Sequence, residues 1–553
     1  MILRGFNPIP IKGDIMKKRA LISTYDKTDV SEFTSFLVET GWEILSTGGT
    51  LKHLVENNIS VIDVSDVTGF PDCFSGRVKT LHPAIHGGIL AKRNDPSHIE
   101  ALEKQGFATI DLVCANLYPF FEKVQTRLPE DEILEFIDMG GPAMLRSAAK
   151  NYQDVIVVSD PADYPAVISA LKAGNVPIGL RKKLAGKVFN LTGAYDASIA
   201  RHLLNEDYPD YWALSAKKVQ RLRYGENEHQ NASLYLNTDG TGSFSSMEQL
   251  NGKLLSYNNV RDVDLAWRAV CAYGLSSDGT RPQAEEEIAH LLPNIPKLPF
   301  ACCVSVKHTT PCGIALGKDL DEAYTKTFNC DPVSIYDSVI ACNVPVDAGV
   351  AKKLLDLFLN IIIAPDFTEE ALEILRQNED LRIIKSQYAP MEKLEFVSID
   401  GGLLVQDTDR KLLAKWDVVT KVHPDPQEVQ DMLFGIKAVT YAKSNAIVIV
   451  KNLAALGIAS GETNRVWATE LALSRASRAI AVAAQMGSDD GTPARVLVTD
   501  AFFEFPDVIE VAEATGIKTI VQSGDHQKDK HIIEVCNNLG MAMVFTGTRH
   551  FKH

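Results

Sequence analysis

Lys307 and His308 stand side by side at the end of an apolar run, residues 301–306, and open onto the turn Thr309-Thr310-Pro311-Cys312-Gly313. An amine next to an imidazole where a buried strand meets a turn has the makings of a proton-transfer pair. Burial and mutual repulsion would lower both pKa values and suit them to work near neutrality. A strand-end pair facing solvent accounts for the spacing equally well. Pro311-Cys312 also invites a zinc site of the H-x-E with P-C-x-x-C type. Gly313, Ile314 and Ala315 follow Cys312, and Thr310 stands where the Glu would be, so the ligand count for zinc is not met.

Other stretches gather groups suited to an anion. Thr47-Gly48-Gly49-Thr50 lies between a strand and a helix. Two glycines let backbone N–H groups approach a phosphate, and a helix start adds positive potential; a plain turn has the same composition. Ser23 and Lys27 flank the end of the first strand, where ligands collect in parallel sheets. Residues 77–88, RVKTLHPAIHGG, carry Arg77, Lys79, Thr80, His82 and His86. The two histidines have zinc-helix spacing, but Pro83 breaks that helix and no Glu follows His82. An anion site on Arg77, Lys79 and Thr80 reads better, with a solvated basic loop as the alternative. Asp138 precedes Gly140-Gly141-Pro142, a helix start, and Arg146 and Lys150 fall on one face of that helix. A carboxylate and an amine there form an acid/base set; a capping Asp and a surface Lys fit the spacing as well. The last residues, FTGTRHFKH, bring Arg549, His550 and His553 directly after a buried strand. Such a tail can fold back into a site, although fraying is the default for a terminus.

These groups need rigid elements behind them. Strands are expected at Arg19–Ser23, Glu43–Leu45, Ile110–Asn116 and Asp154–Val158. Between the first two lies a helix capped by Thr28, with Val30, Phe33, Phe36 and Leu37 on its apolar face and Gly41 as its stop. The alternation predicts an open, mostly parallel sheet with helices on both faces. Residues 165–214 read as mainly helical, a boundary falls near 205–220, and strand–helix alternation returns, clearest at 496–546. The polar, Pro-punctuated stretch 275–298 reads as an insertion. Residues 1–16 read as an extension before the core, with Met16 an alternative start.

The chain has 553 residues and a net charge of −15, with 45% apolar and 23% charged residues. At roughly 100–200 residues each, that length holds two to four domains. The acidic balance argues against nucleic acid as a partner. No apolar run reaches the roughly 20 residues of a membrane span, and the N-terminus lacks the apolar region of a secretory leader. Nine scattered cysteines without C-x-x-C spacing predict reduced thiols in a cytoplasmic protein.

Taken in order, STYDKTD, TGGT, GRVKTLHPAIHGGIL, CANLYPF, IDMGGPAMLRSAAKN, LRYGENEHQ, YNNVRDVD, VKHTTPCG, DPVS, YAKSNAIV, TDAFFEFPD and FTGTRHFKH closely resemble the bifunctional AICAR transformylase/IMP cyclohydrolase family. The resemblance covers about residues 17–553. It implies an α/β chain: an N-terminal methylglyoxal-synthase-like open parallel sheet (17–210), then two cytidine-deaminase-like α/β domains without zinc (211–553). It implies formyl transfer from 10-formyltetrahydrofolate to the 5-amine of AICAR, giving formyl-AICAR, and then dehydrative closure to IMP. It further implies folate as the formyl carrier, no catalytic metal, and a homodimer with transformylase sites at the interface.

Site residues carry over by motif. Lys307 and His308 match the catalytic pair: His308 would take a proton from the 5-amine, and Lys307 would assist proton delivery to the folate leaving nitrogen. Asn445 would hold the formyl oxygen. Arg223, Tyr224 and Arg549 match nucleotide-binding positions, and His553 is grouped with them. Asn343, Arg465, Phe502 and Phe503 match positions around nucleotide or folate. For ring closure, Lys79, Tyr118, Asp138 and Lys150 match the active-site set, with Asp138 as base toward the carboxamide nitrogen and Lys150 on the formyl oxygen. Ser23, Lys27, Thr47 and Thr50 would bind phosphate, with Gly48 and Gly49 in that loop and Arg77 and Thr80 beside it. The chain departs from the family pattern at Tyr25, Glu228, Thr310, Ile335–Ser338 and Ala459–Asn464, mostly on the expected folate side. The alternative reading keeps the cyclohydrolase and gives the C-terminal half altered formyl-donor use, or nucleotide binding and dimerisation alone.

Overall fold

The structure is a computed structural model that describes residues 17–126, 128–275, 288–293, 297–487 and 490–553. The expected extension 1–16 and, within the expected insertion, residues 276–287 and 294–296 lie outside the described residues. The chain divides into two compact units. One runs to Lys217 and takes in Asn237–Gly240; the other holds Lys218–Leu236 and Thr241–His553.

In the first unit, short apolar runs form β1 (Arg19–Ser23), β2 (Glu43–Ser46), β3 (Ile62–Asp63), β4 (Leu112–Ala115) and β5 (Ile156–Val158). They pair all-parallel in the order β3-β2-β1-β4-β5. Every residue of β4 and β5 is buried, as parallel strands covered on both faces require. The helices Val30–Glu39, Gly140–Lys150 and Ile178–Leu204 feed Phe33, Leu37, Leu145, Ala148 and Val188 into one core. Thr28 does not cap the first of these helices. The N-cap is Asp29, and the Thr28 N–H instead donates to Asp26 Oδ1 at 2.9 Å, a local turn that competes with the cap.

Two ribbons stand apart from the main sheets: β6 (Ala216–Leu222) with β7 (Ala232–Asn237), and β14 (Leu394–Ile399) with β15 (Gly402–Asp407).

The second unit states one pattern twice. A helix, Tyr257–Cys271 in the first repeat and Pro426–Val439 in the second, precedes an antiparallel hairpin. The hairpins are β9 (Ala301–Lys307) with β10 (Thr310–Gly317), and β17 (Ile447–Lys451) with β18 (Ala454–Ala459). Three mutually parallel strands come next: β11 (Val339–Cys342), β12 (Ile361–Ala364) and β13 (Arg382–Lys385), then β19 (Val496–Thr499), β20 (Thr519–Gln522) and β21 (Ala542–Phe545). An antiparallel edge strand closes each repeat, β8 (Glu248–Asn251) or β16 (Asp417–Val418). β10 and β18 pair with Ala315 opposite Ala454, which joins both repeats into one twelve-stranded sheet.

Strand alternation sorts the side chains. Cys302, Val304 and Val306 enter a core shared with Trp267 and Phe434 of the two preceding helices. Ala301 and Cys303 point to the opposite face, where each repeat keeps a core of its own.

Candidate active sites

In the first unit, the loops that follow β1, β2 and β4 wall a cavity of about 590 Å³, at the strand ends where open parallel sheets take ligands. Ser23, Lys27, Thr47, Gly48, Gly49 and Thr50 line it, joined by Arg77, Lys79, Thr80, Tyr118 and Asp138. The Lys27 amine donates to the carbonyls of Thr24 and Tyr25 and, at 3.3 Å, to Thr50 Oγ1. Burial lowers its pKa, with Asp26 opposing. Thr50 Oγ1 donates to the Thr24 carbonyl at 2.8 Å and accepts the Thr24 N–H at 3.0 Å. These bonds fasten the exit of β1 to the start of the helix Gly48–Glu56. Gly48 sits at φ +55°, and a Cβ there would lie 3.1 Å from Lys79 Nζ; at Gly76 it would lie 2.8 Å away. Both glycines therefore make room for the Lys79 amine, which pairs with Asp72 at 3.5 Å.

Asp138 Oδ1 accepts the Gly141 N–H at 2.9 Å, and a Cβ on Gly141 would collide with its other oxygen. It is thus both the partner of a helix start and a wall of the cavity. Burial raises its pKa, opposed by the N–H groups of Gly141, Tyr118 and Gly140. Tyr118 meets Tyr25 edge-on, with ring centres 5.6 Å apart. Arg77 reaches the rim, where it is ion-paired with Glu135.

Lys150 is not brought to this cavity. It is exposed in the last turn of the helix Gly140–Lys150, about 15 Å along the axis from the glycines, where its charge offsets the helix C-terminus. His82 caps a helix by accepting the Ala84 N–H at 3.1 Å, and His86 bonds Ser147 at 3.0 Å. Neither is aimed at a common centre. Asn116, which lies within CANLYPF but was given no role there, also shapes the site. Its Oδ1 accepts the N–H groups of Tyr25 at 2.5 Å and Asp26 at 3.0 Å, which fixes the loop after β1. Its place at the end of the apolar run 110–116 is the signal that could have marked it.

In the second unit, Lys307 ends β9 and His308-Thr309 make the hairpin turn, with φ of 54° and 53°. His308 is exposed and Lys307 half-buried. The Lys307 amine donates to the Tyr336 carbonyl at 2.7 Å. Because Ala315 faces Ala454, the Thr310 end of β10 and the Ala459 end of β18 share one edge of the sheet. Asn445 and Arg465 belong to that edge: Asn445 Nδ2 donates to the Glu462 carbonyl at 2.9 Å, and Arg465 pairs with Asp500 at 2.5 Å. The tail reaches it too, since the Ser444 N–H donates to the Lys552 carbonyl at 2.8 Å. Arg549 lies over Phe551 at 4.5 Å, and His553 lies beside the same ring. Arg223 lies over Tyr224 at 5.4 Å in the loop after β6.

Two residues expected around nucleotide or folate are buried in the fold. Asn343 is fully buried, accepts the Cys302 N–H at 2.7 Å, and donates to the carbonyls of Gly274 at 3.1 Å and Phe300 at 2.7 Å. Its amide stitches β11 to its surroundings and has no donor left for a ligand. Phe503 is fully buried in the core of the second repeat. Phe502 is the partly exposed member and stacks on His526 at 4.5 Å. Among the described residues, no three His, Cys, Asp or Glu side chains gather in a metal-binding group, and no helix is long and apolar enough to cross a membrane.

Comparison with known proteins bears on both units. Residues 148–475 match the family model of the AICARFT/IMPCHase bienzyme, and residues 29–143 match that of the MGS-like domain. The chain is 49% identical over 539 residues to the bifunctional purine biosynthesis protein PurH of Clostridium botulinum (strain Hall), covering 97% of this chain and 100% of that one. The PurH protein of Clostridium kluyveri (strain NBRC 12016) matches with the same identity and coverage. A solved structure described as "Crystal structure of ForH" is 39% identical, with a TM-score of 0.32, over 34% of this chain and 96% of that chain.

Proposed function

The chain belongs to the AICARFT/IMPCHase bienzyme family, and on that premise we propose how its residues divide the two reactions. It is a bifunctional enzyme of purine biosynthesis, an AICAR transformylase and IMP cyclohydrolase, and its family uses a formyl-folate co-substrate. Ring closure is assigned to the cavity of residues 17–210. The observation that carries this assignment is the meeting of Asp138, Lys79 and Tyr118 with the Thr47–Thr50 loop around one space. There the phosphate of formyl-AICAR lies on the N-terminus of the helix Gly48–Glu56, with Lys27 and Thr50 beside it. The carboxamide nitrogen attacks the formyl carbon and gives its proton to Asp138. The formyl oxygen takes up that proton, the formamido nitrogen gives up its own as the ring C=N bond forms, and with both the oxygen leaves as water. Lys79 supplies the cation for the charge that develops on that oxygen, the part that motif matching assigns to Lys150.

Formyl transfer is assigned to residues 211–553, at the sheet edge shared by the β9–β10 turn, Asn445 and Arg465. The 5-amine of AICAR attacks the formyl carbon of 10-formyltetrahydrofolate, His308 takes the amine proton, and Lys307 assists protonation of the departing folate nitrogen. Asn445 is the donor nearest in kind to an oxyanion partner. Arg223, Tyr224, Arg465 and Arg549 are assigned to nucleotide binding, and Phe502 to a flat ring. We assign the enzyme to the cytoplasm as a homodimer with its transformylase sites at the interface. The exposed apolar side chains of the β14–β15 ribbon support the dimer.

Incubation with AICAR and 10-formyltetrahydrofolate should give IMP and tetrahydrofolate. His308→Ala should lower formyl transfer about 100-fold or more while synthetic formyl-AICAR still closes to IMP at the parent rate. Formyl transfer unchanged in that variant would move the proton acceptor away from His308, and no formyl transfer by the parent would return the second unit to the alternative reading, a binding and dimerisation module.

A further inference from the structure

The His308-Thr309 turn is built from residues that do not favour it. Both lie at positive φ, where two-residue hairpin turns ordinarily use Asn-Gly or Asp-Gly. What holds them is a carboxylate from outside the hairpin. Asp262, on the helix Tyr257–Cys271, accepts the His308 N–H on Oδ2 at 3.2 Å and the Thr309 N–H on Oδ1 at 2.6 Å.

The second repeat contains the same device. Asn452 and Leu453 turn the β17–β18 hairpin at φ of 49° and 61°. Asp431, on the helix Pro426–Val439, accepts their N–H groups at 3.1 and 2.7 Å. The two aspartates occupy equivalent places, each the sixth residue after its helix N-cap, Ser256 or Asp425. Lys307 likewise corresponds to Lys451, each the last residue of its strand. The repeats differ in the surroundings of that lysine and in the residue after it. Lys451 is buried and paired with Asp490 at 2.8 Å, and Asn452 stands where the first repeat has His308. The carboxylate–turn bond is therefore a scaffold common to both repeats, and only the first carries an imidazole on it.

We propose that Asp262 is a positioning residue for formyl transfer, its carboxylate fixing the left-handed His308-Thr309 backbone and so the aim of the His308 ring and the Lys307 amine. The proposal rests on the assignment of Lys307-His308 to formyl transfer. Asp262 is acceptor-only when ionised, and its two oxygens match two adjacent N–H groups. Asparagine at this position offers one oxygen and turns an NH₂ toward the second N–H, so one turn bond is lost without a change of volume.

The test uses the full chain and reads both reactions. Asp262→Asn should lower kcat for formyl transfer about 100-fold, the cost expected of a misaimed catalytic group, with KM for AICAR within about threefold of the parent. Cyclisation of formyl-AICAR in the same preparation should be unchanged, which reports on the first unit, while the retained KM for AICAR reports on folding of the second. Asp431→Asn removes the same bond from the second repeat and serves as the structural control; it should leave kcat within about threefold. Adding Thr309→Gly to Asp262→Asn should recover much of kcat, because glycine takes positive φ without the carboxylate. A kcat for Asp262→Asn no lower than that of Asp431→Asn overturns the proposal, as does a double variant no faster than Asp262→Asn. His308→Ala measured alongside separates the two failures. If it abolishes transfer while Asp262→Asn does not, the positioning role alone is wrong; if it has no effect, the assignment of the Lys307-His308 pair is wrong and the proposal falls with it.

Discussion

Burial and hydrogen bonding pull Asp138 in opposite directions, and burial is the larger. A carboxyl held above its ordinary value is a better base at neutral pH than an exposed one. Cyclisation needs it ionised, so kcat/KM should rise with pH through an apparent value above the usual carboxylate range. Asp138→Asn should remove that limb and lower the rate about 100-fold or more. A pH–rate profile with the limb intact in the variant would move the base elsewhere. Asp138 and Lys79 stood out as candidates through the helix start at Gly140-Gly141-Pro142 and the basic run 77–80, and the structure sets glycines beside both: Gly141 beside the carboxylate, Gly48 and Gly76 beside the amine. Lys150, Asn343 and Phe503 lie away from the spaces the motifs suggest for one common reason. Their neighbours in the chain carry chemistry, but the direction of each side chain is set by packing. One lies at the far end of a helix, one is consumed by three backbone bonds, and one fills a core.

Strands were legible where a run is apolar along most of its length, as in β4, β5, β9 and β19. The turn after β9 was legible but placed at 309–313, whereas the chain turns at His308-Thr309 and Thr310 already opens β10; the turn between β17 and β18 was not read, because Asn-Leu lacks the usual turn chemistry and an aspartate on the preceding helix supplies it. That aspartate has a consequence for the element itself. Asp431 is 6% exposed, and burial lifts its pKa from 3.8 to about 6, against the Leu453 and Asn452 N–H groups. A carboxyl raised in the folded state adds stability below its unfolded value and loses it as pH rises through the folded one. The parent should therefore lose stability relative to Asp431→Asn between about pH 4 and pH 6, by about 3 kcal/mol in all. Denaturant midpoints of the two proteins across that range would show it. A difference that stays constant with pH would mean the carboxyl does not titrate there.

At the scale of the whole chain, no short repeat shows in the residues themselves, and only the family resemblance implies two like domains, because the two halves of the second unit share geometry more than residues: a helix, a hairpin, three parallel strands and an edge strand, joined through β10 and β18. The part that breaks the pattern is the β14–β15 ribbon, which belongs to neither half of the sheet. Phe396, Val397, Ile399, Leu403 and Leu404 are each about half exposed or more, and a lone two-stranded ribbon is marginal in water. Apolar residues on consecutive positions of both strands call for cover on more than one side, and a second copy of the chain would give it in the proposed homodimer. Val397 and Leu404 are directly opposed, so Val397→Lys with Leu404→Glu keeps an attractive cross-strand pair while removing the apolar surface. Sedimentation should then shift from dimer to monomer. Formyl transfer should fall about tenfold or more, as when a central interface anchor is lost, because its sites are assigned to the interface, whereas cyclisation should persist in the cavity of the first unit. A variant that remains dimeric would place the interface elsewhere, and a monomeric variant with full formyl transfer would show that each chain completes its own site.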